Sequence, residues 1–265
     1  MEPRFPFGKN WSRFLSVLTE ERIQEAEASL REMMDLPSLE GKSFLDIGSG
    51  SGLFSLAAKN LGARVHSFDY DENSVACTLE LNNRYHPETG GWTAEGGSAL
   101  DEKYMMSLDQ FDIVYSWGVL HRTGEMWRAL NLAQKPTKPG GLLFIALYND
   151  QGVVSAFWTK MKRAYISGPL GKALMTALFV PYSFLRTAAA GIVRHGIPWG
   201  EFRAYKRKRG MSVYHDWIDW IGGYPFETAK PEDICEFYQK NGFVLQKMTK
   251  TRGLGNNEFV FRRTG

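Results

Sequence analysis

The chain has 265 residues, 43% apolar and 23% charged, an ordinary globular composition for one large domain or a domain with an elaborate insertion. Its two cysteines, Cys77 and Cys235, lie far apart without clustered histidines, which argues against a disulfide framework or a zinc site, so no metal is predicted. The first residues lack a charged segment followed by an apolar one, so we expect no secretory signal and a cytoplasmic protein.

The net charge of +3 conceals an uneven distribution along the chain. Residues 151–210 contain eleven lysines and arginines and a single acid, Glu201, so this segment carries +10 and the remainder −7. An asymmetry of this kind bears on the partners of a protein rather than on its fold.

The first 40 residues are predicted to form an aromatic and helical segment. Ile23, Ala26, Leu30 and Met33 follow helical spacing and predict a helix over 20–34. The aromatic residues before it favour a packing arm laid over the core. The alternative is a lid, in which Trp11 closes over cofactor or substrate.

From residue 43 onward, strand-like and helix-like segments alternate, which predicts parallel βαβ units with right-handed crossovers. The predicted strands are 43–47, 64–69, 92–95, 111–116 and 142–148, with helices at about 51–61, 72–84 and 125–134. A turn at 138–141 precedes the fifth strand. A helix over 231–240 and two strands, 243–248 and 258–261, joined by a Gly/Asn-rich turn, end the chain.

A glycine-rich loop follows the first predicted strand. Asp46 ends the apolar run, and Gly48, Gly50 and Gly52 then alternate ahead of a helix. Alternate glycines let the backbone approach a ligand closely, and a helix N-terminus attracts negative groups. A dinucleotide-binding loop would need its third glycine at position 53, where Leu53 stands.

Asp69 provides a second signal, because it ends the next strand 21 residues after Gly48. A carboxylate at that separation can accept hydrogen bonds from both ribose hydroxyls of a nucleoside. The alternative is a structural turn with Asp69 as a helix cap. The pattern D-x-G-x-G-x-G, starting at Asp46, resembles motif I of the class I S-adenosylmethionine-dependent methyltransferases.

The resemblance covers about residues 43–148 and 231–262. It implies an α/β fold with a Rossmann-like, seven-stranded, doubly wound sheet that is parallel except for one strand, and S-adenosylmethionine as cofactor. Many members have aspartate where Ser98 stands, and Asp101 could serve instead. The residues that it implies for the cofactor are Asp46, Gly48, Ser49, Gly50, Gly52, Asp69, Tyr70, Ser98, Ala99, Ser116 and Trp117.

The stretches 115–121, 148–150 and 220–227 look like a bacterial, ubiquinone-methylase-like branch of that class. His121, Tyr148 and His215 are the candidate catalytic groups, with His121 the leading base because it follows the fourth strand. The alternative for His121 is a histidine that packs the loop. His215, Asp216, Asp219 and Glu227 lie among aromatic residues, which suits either a substrate pocket or a solvated surface. The candidate substrate contacts are Trp11, Asn149, Asp219 and Tyr224.

Residues 149–228 are too many for a structureless loop and predict an inserted, mainly helical cap. The domain boundaries are therefore 1–40 for the N-terminal segment, 41–148 for the core, 149–228 for the cap and 229–265 for the end of the core. Pro181 and Arg186 interrupt the apolar run of the cap before the ~20 residues that a bilayer span needs. A packed cap over an apolar pocket is preferred, and the alternatives are peripheral membrane contact and a nucleic-acid face.

The predicted function is S-adenosylmethionine-dependent methyl transfer to a small or lipid-linked acceptor that is hydrophobic, aromatic or anionic, with oxygen preferred over carbon or nitrogen. The protein would be cytoplasmic or peripheral to the inner face of a membrane. One alternative is an RNA or protein methyltransferase that docks through residues 151–210, although the N/D-P-P-Y/F motif does not follow the fourth strand. Another is a non-catalytic scaffold that binds the cofactor.

Overall fold

The computed structural model describes residues 15, 18–87, 90–202 and 213–265, except for the side chains of 213–216 and 219. Trp11 and the side chains of His215 and Asp219 therefore lie outside the described part. Contacts divide the chain into two compact units. We call residues 6–151 with 227–265 the sheet unit, and residues 152–226 the insertion unit.

In the described part of the sheet unit, seven strands form one sheet in the order β3-β2-β1-β4-β5-β7-β6. The neighbouring strands are parallel except that β7 runs antiparallel to both β5 and β6, which confirms the predicted fold class. The strands are β1 (Ser43–Ile47), β2 (Arg64–Asp69), β3 (Trp92–Gly96), β4 (Phe111–Trp117), β5 (Thr137–Tyr148), β6 (Phe243–Thr249) and β7 (Asn256–Arg263).

Helices cover both faces of this sheet, as a parallel arrangement requires. In the sheet unit they are α1 (Glu20–Met34), α2 (Leu53–Asn60), α3 (Glu72–Tyr85), α4 (Glu102–Ser107), α5 (Met126–Ala133) and α9 (Pro231–Lys240). In the insertion unit they are α6 (Val153–Ile166), α7 (Pro169–His195) and α8 (Val213–Gly222).

Successive strand residues point to opposite faces of the sheet and build two cores. Phe44 lies in the core that contains the apolar residues of α1, α2 and α3, whereas its neighbour Leu45 lies in the core with α4, α5 and α9. Phe144 and Ile145 of β5 divide in the same way. The strands therefore read as continuous apolar runs, which is why they could be predicted from the sequence.

Two elements of the sheet unit differ from the prediction. Helix α4 was not predicted, because its six residues are too few for a clear period; it begins after Asp101, whose side chain accepts a hydrogen bond from the Tyr104 N–H. Strand β5 begins at Thr137, so the turn predicted at 138–141 is an irregularity inside the strand. The register shifts there because only Asp112 of β4 lies opposite the longer stretch of β5.

The prediction that Pro181 and Arg186 interrupt the apolar segment is wrong. Helix α7 runs for 27 residues with Pro181 inside it, since the loss of one backbone donor does not outweigh the turns on either side. By length and composition, α7 is the one helix in the described residues that could cross a membrane. Only 17% of its most apolar window is buried.

The two positions where the chain leaves and re-enters the sheet unit are joined to each other. The Asp150 N–H donates to the Ala229 carbonyl at 3.0 Å, and the Ala229 N–H donates to the Tyr148 carbonyl at 3.1 Å. The Thr228 hydroxyl donates to the Asp150 carboxylate at 2.9 Å. These bonds surround a parallel bridge between Asn149 and Ala229, so both ends of the insertion are fixed by the sheet unit itself.

Candidate active site

The site lies where the strand order reverses, between β1 and β4. The chain runs outward from β1 through β2 to β3 and then returns to β4 on the other side of β1. In open α/β sheets, ligands bind outside the carboxyl ends of the strands at such a point. The loop after β1 is therefore the first candidate.

This loop takes left-handed backbone conformations at its three glycines. The φ angles of Gly48, Gly50 and Gly52 are +78°, +57° and +81°, a region that side chains rarely tolerate. A Cβ atom at Gly52 would lie 2.8 Å from the Cα atom of Thr78. At Gly48 it would lie 2.5 Å from the Val119 side chain. The sequence pattern thus reflects both conformation and close packing.

Asp69 closes the other side of the loop. One oxygen of its carboxylate accepts the Gly50 N–H at 2.9 Å, and the other accepts the Asp71 N–H at 2.9 Å. Burial raises the pKa of Asp69, and these backbone hydrogen bonds oppose the shift. Ser49 is held by a hydroxyl–hydroxyl hydrogen bond of 2.9 Å to Thr78. The residues that the spacing singles out do meet in space.

Asp46 lies beneath the loop rather than at its surface. Its carboxylate is fully buried and accepts the Ser55 hydroxyl at 2.5 Å. Ser55 is hydrogen-bonded to Ser67 at 2.8 Å, and the Trp92 indole N–H donates to Ser67 at 3.0 Å. Burial raises the pKa of Asp46 to about 7, the Ser55 bond opposes the shift, and the negative charge of Asp69 adds to it. This buried network was not predicted.

The residues after β2 and β3 that the resemblance implies for the nucleoside occupy different environments. Tyr70 follows Asp69 directly and is 57% exposed, so its ring is accessible. Ala99 is buried, and the Ser98 hydroxyl accepts the Leu100 N–H at 3.2 Å. Asp101, the suggested replacement for an acid at position 98, caps α4. Its carboxylate is thus already engaged by the chain.

The carboxyl ends of β4 and β5 bring a second set of side chains together. The Ser116 hydroxyl donates to the Ile47 carbonyl at 3.0 Å, which ties β4 to the end of β1. The neighbouring Trp117 is exposed, and its indole N–H donates to the Glu258 carboxylate at 2.8 Å. A polar and aromatic rim therefore stands beside the glycine loop.

His121 and Tyr148 meet at this rim. Their ring centroids are 4.2 Å apart, with His121 fully buried and Tyr148 half-buried. Arg122 donates a hydrogen bond to the Tyr148 hydroxyl, and its guanidinium carbon lies 5.3 Å from the centroid of that ring. The sequence contained no signal for Arg122, because a single arginine after a strand is common.

Two further candidates serve the local structure of the sheet unit. The Asn149 amide donates to the Gly253 carbonyl at 3.2 Å and accepts from the Asn257 amide at 3.0 Å. Glu227 accepts the Met126 N–H at 3.1 Å and so caps α5. This role differs from the place in a substrate pocket that was one prediction for Glu227 and His215.

Tyr224 is buried within the insertion unit. Its hydroxyl accepts two hydrogen bonds from the Arg163 guanidinium, at 3.0 and 2.8 Å. The roles predicted for Tyr224, Asn149 and the partly described His215 and Asp219 stay predictions.

The loop and its carboxylate fit the nucleoside and amino-acid parts of S-adenosylmethionine. The hydrogen bonds from Gly50 and Asp71 use part of the acceptor capacity of Asp69, and a carboxylate has about four lone-pair sites. Backbone without Cβ atoms lies directly beside it, and the ring of Tyr70 is exposed next to it. We therefore propose that Asp69 binds the ribose hydroxyls and that the loop over Asp46 binds the amino-acid end.

We expect Gly52→Ala to destabilise the protein by about 2 kcal/mol more than Gly140→Ala does. Both glycines have a positive φ, +81° and +74°, so both substitutions introduce the same conformational strain. Only at Gly52 does the new Cβ meet backbone, at Thr78, whereas at Gly140 nothing lies within 4 Å. Chemical denaturation measures both differences. Equal losses would show that the loop relaxes freely and that close packing does not explain this glycine.

Comparison with known proteins agrees with this geometry. A family model described as a methyltransferase domain matches residues 18–192, well over half of the chain. The ubiquinone biosynthesis O-methyltransferase of Rhizobium leguminosarum bv. trifolii is 28% identical over 132 residues, which are 50% of this chain and 50% of that protein. The protein of the same name from Cereibacter sphaeroides is 28% identical over 125 residues, 45% of this chain and 49% of the relative. The chain thus spans about half the length of these curated relatives.

Solved structures show the same fold at low sequence identity. Magnesium protoporphyrin IX methyltransferase from Synechocystis PCC 6803, solved with bound SAM, is 13% identical with a TM-score of 0.54, covering 100% of this chain and 87% of that one. An O-methyltransferase family protein from Burkholderia thailandensis is 12% identical with a TM-score of 0.52, covering 84% and 51%. The chain therefore belongs to the methyltransferase-domain family.

Proposed function

We propose that this methyltransferase transfers the methyl group to a hydroxyl oxygen of a small, hydrophobic and aromatic acceptor. The observation that carries the proposal is the group formed by Arg122, Tyr148 and His121 at the rim beside the glycine loop. The relatives whose names specify O-methylation support oxygen as the methylated atom. A lipid-linked acceptor is compatible with this chemistry.

Arg122 gives the rim its chemical character. A guanidinium is positively charged and binds oxyanions well. Arg122 donates a hydrogen bond to the Tyr148 hydroxyl, and this bond fixes the orientation of the Tyr148 ring. The rim therefore presents aromatic surface and positive charge together. A phenol or catechol that has lost its proton matches both properties, whereas a protonated amine would be repelled by the guanidinium.

His121 and Tyr148 then have different roles. A base that removes a proton from an acceptor must reach it, and the His121 ring is fully buried. We assign His121 as a positioning residue that supports the Tyr148 ring, and we assign Tyr148 as the side chain that contacts the acceptor. Trp117, exposed on the same rim, would supply a second aromatic wall.

When bound, S-adenosylmethionine supplies an electrophilic methyl group on a sulfonium. Bound there, it would give that methyl group to the acceptor oxygen and keep the electron pair of the broken carbon–sulfur bond. The proton of an acidic phenol leaves to bulk water beforehand, so that no side chain needs to take it. The chain contributes orientation through Tyr148 and charge stabilisation through Arg122, and orientation accounts for much of the rate of such a displacement.

We expect Arg122→Gln to lower kcat/KM for a phenolic acceptor by about tenfold and to move the rising limb of its pH profile to higher pH. Loss of the positive charge makes proton release from the bound phenol less favourable. Tyr148→Phe should lower kcat/KM similarly without the pH shift, because it removes the hydroxyl but keeps the ring. Steady-state kinetics on a panel of catechols and phenols, with product identified by mass spectrometry, measures both effects.

Arg128→Gln is the matched control, since Arg128 is an exposed arginine on α5 paired with Glu125. It should leave kinetics and pH profile unchanged. Methyl transfer to amines or to carbon in preference to hydroxyls would contradict the assignment of oxygen. If calorimetry detects donor binding but no compound of the panel is methylated, the proposal fails in favour of a scaffold role.

A further inference from the structure

The insertion unit carries an exposed apolar surface along its longest helix. Several large apolar side chains of α7 are exposed to solvent, from 53% at Leu174 to 83% at Leu170. Soluble monomers rarely leave a continuous apolar surface of this kind without using it. We call this surface the α7 stripe; its members are Leu170, Leu174, Leu178, Tyr182, Leu185 and Ile192.

The stripe occupies one side of the helix. Its first four members are each four residues apart, and residues at that spacing lie on the same face of an α-helix. Leu185 and Ile192 continue the same face, three and ten residues beyond Tyr182. At a rise of 1.5 Å per residue, the stripe extends for roughly 30 Å.

Another side of α7 packs on protein. Met175 and Phe179 are buried in a cluster with Tyr165 of α6 and Ile221 of α8. The Phe179 ring stacks on Trp220 with centroids 6.0 Å apart. A helix fixed to its own unit on one side and apolar on another suits the boundary of a bilayer better than its interior, where the helix would be surrounded by lipid.

The charges of the helix identify the kind of surface that it would meet. Between Pro169 and His195 the sequence contains no aspartate or glutamate. Lys172 and Arg186 are exposed on α7, and Lys160 is exposed on α6. Arg194 is paired with Glu201 at 2.9 Å and adds little net charge. Apolar side chains on a helix that carries lysine and arginine but no acid are typical of helices that lie in the headgroup region of anionic membranes.

We propose that the α7 stripe binds the surface of a lipid bilayer with anionic headgroups and lies in the plane of the interface. The apolar members insert between the headgroups, and the basic side chains meet lipid phosphates. Tyr182 has an apolar ring and a polar hydroxyl, and side chains of this kind are enriched at membrane–water interfaces. This inference goes beyond the proposed reaction and does not depend on it.

Vesicle flotation of the purified 265-residue chain tests the proposal without any measurement of activity. We expect the protein to float with phosphatidylcholine–phosphatidylglycerol vesicles and much less with phosphatidylcholine alone. The triple variant Leu174→Ser, Leu178→Ser and Leu185→Ser should weaken binding at least about tenfold at unchanged charge. The variant Lys160→Gln, Lys172→Gln and Arg186→Gln should remove the preference for anionic vesicles.

Met106→Ser is the matched control, because Met106 is 62% exposed on α4 in the sheet unit, and it should bind vesicles as the unchanged protein does. Circular dichroism of each variant shows whether its helices are kept. Three results would overturn the proposal: no flotation of the unchanged protein, flotation that the folded triple-serine variant retains, or association that resists an alkaline wash and so indicates a spanning helix. Light scattering that shows a dimer which the triple-serine variant abolishes would assign the stripe to a second copy of the chain instead.

Discussion

Asp69→Ala is expected to lower the affinity for S-adenosylmethionine by about a hundredfold. The substitution removes the acceptor that we assign to the ribose hydroxyls. It also releases the Gly50 N–H, so that the loop must be ordered again when the ligand binds. Isothermal titration calorimetry on the purified protein measures the change directly. The affinity of Asp69→Asn should lie between those of Asp69→Ala and the unchanged protein, because the amide keeps one acceptor oxygen.

The control for this experiment is Asp109→Ala, which removes an exposed carboxylate from the turn before β4. It should leave the dissociation constant unchanged. Should Asp69→Ala bind the donor as tightly as the unchanged protein, the nucleoside does not rest on this carboxylate, and the assignment of the whole cofactor site would have to be abandoned.

Asp46→Asn is expected to change how stability depends on pH. Asp46 has a pKa of about 7 in the folded protein, above its ordinary value of 3.8, so the folded state binds the proton more tightly. The stability that the neutral carboxyl contributes is therefore complete below about pH 4 and is lost as the pH rises through 7. An asparagine does not ionise and lacks this loss.

Relative to the unchanged protein, the variant should therefore gain roughly 2.5 kcal/mol of unfolding free energy between about pH 5 and about pH 8. Urea denaturation at several pH values measures this difference, and Asp109→Asn, at an exposed position, should show no such trend. Parallel pH curves for Asp46→Asn and the unchanged protein would mean that the buried carboxyl does not titrate in this range.

The sheet and the glycine loop could be predicted because each depends on a local pattern. Buried parallel strands need continuous apolar runs, and a loop with left-handed positions needs glycine. The place of Asp69 beside this loop could be predicted because its distance from Gly48 along the chain is set by one strand–helix–strand unit. The residues of the buried network around Asp46, namely Ser55, Ser67 and Trp92, were not found. They come from three different elements, and small hydroxyls have no characteristic spacing.

The insertion unit and the rim beside the glycine loop were predicted less well, since their features depend on tertiary context. Pro181 looks like a helix terminator in the sequence, yet the long helix on both sides maintains α7 through it. The pairing of Arg122 with Tyr148 joins residues 26 positions apart whose meeting depends on the register of β4 and β5. Sequence alone identified the candidates His121 and Tyr148 but not that one would lie buried against the other.

The bridge between Asn149 and Ala229 has a consequence for how such a protein can diversify. Because the bonds that close it belong to the sheet unit, the 75 residues between Gly152 and Phe226 begin and end at one already joined point. The entropic cost of closing a loop grows only slowly with loop length. Exchanging this segment for another therefore changes the stability of the sheet unit little and breaks none of the hydrogen bonds between its strands. Evolution can therefore replace the insertion as a module while the glycine loop and Asp69 stay as they are.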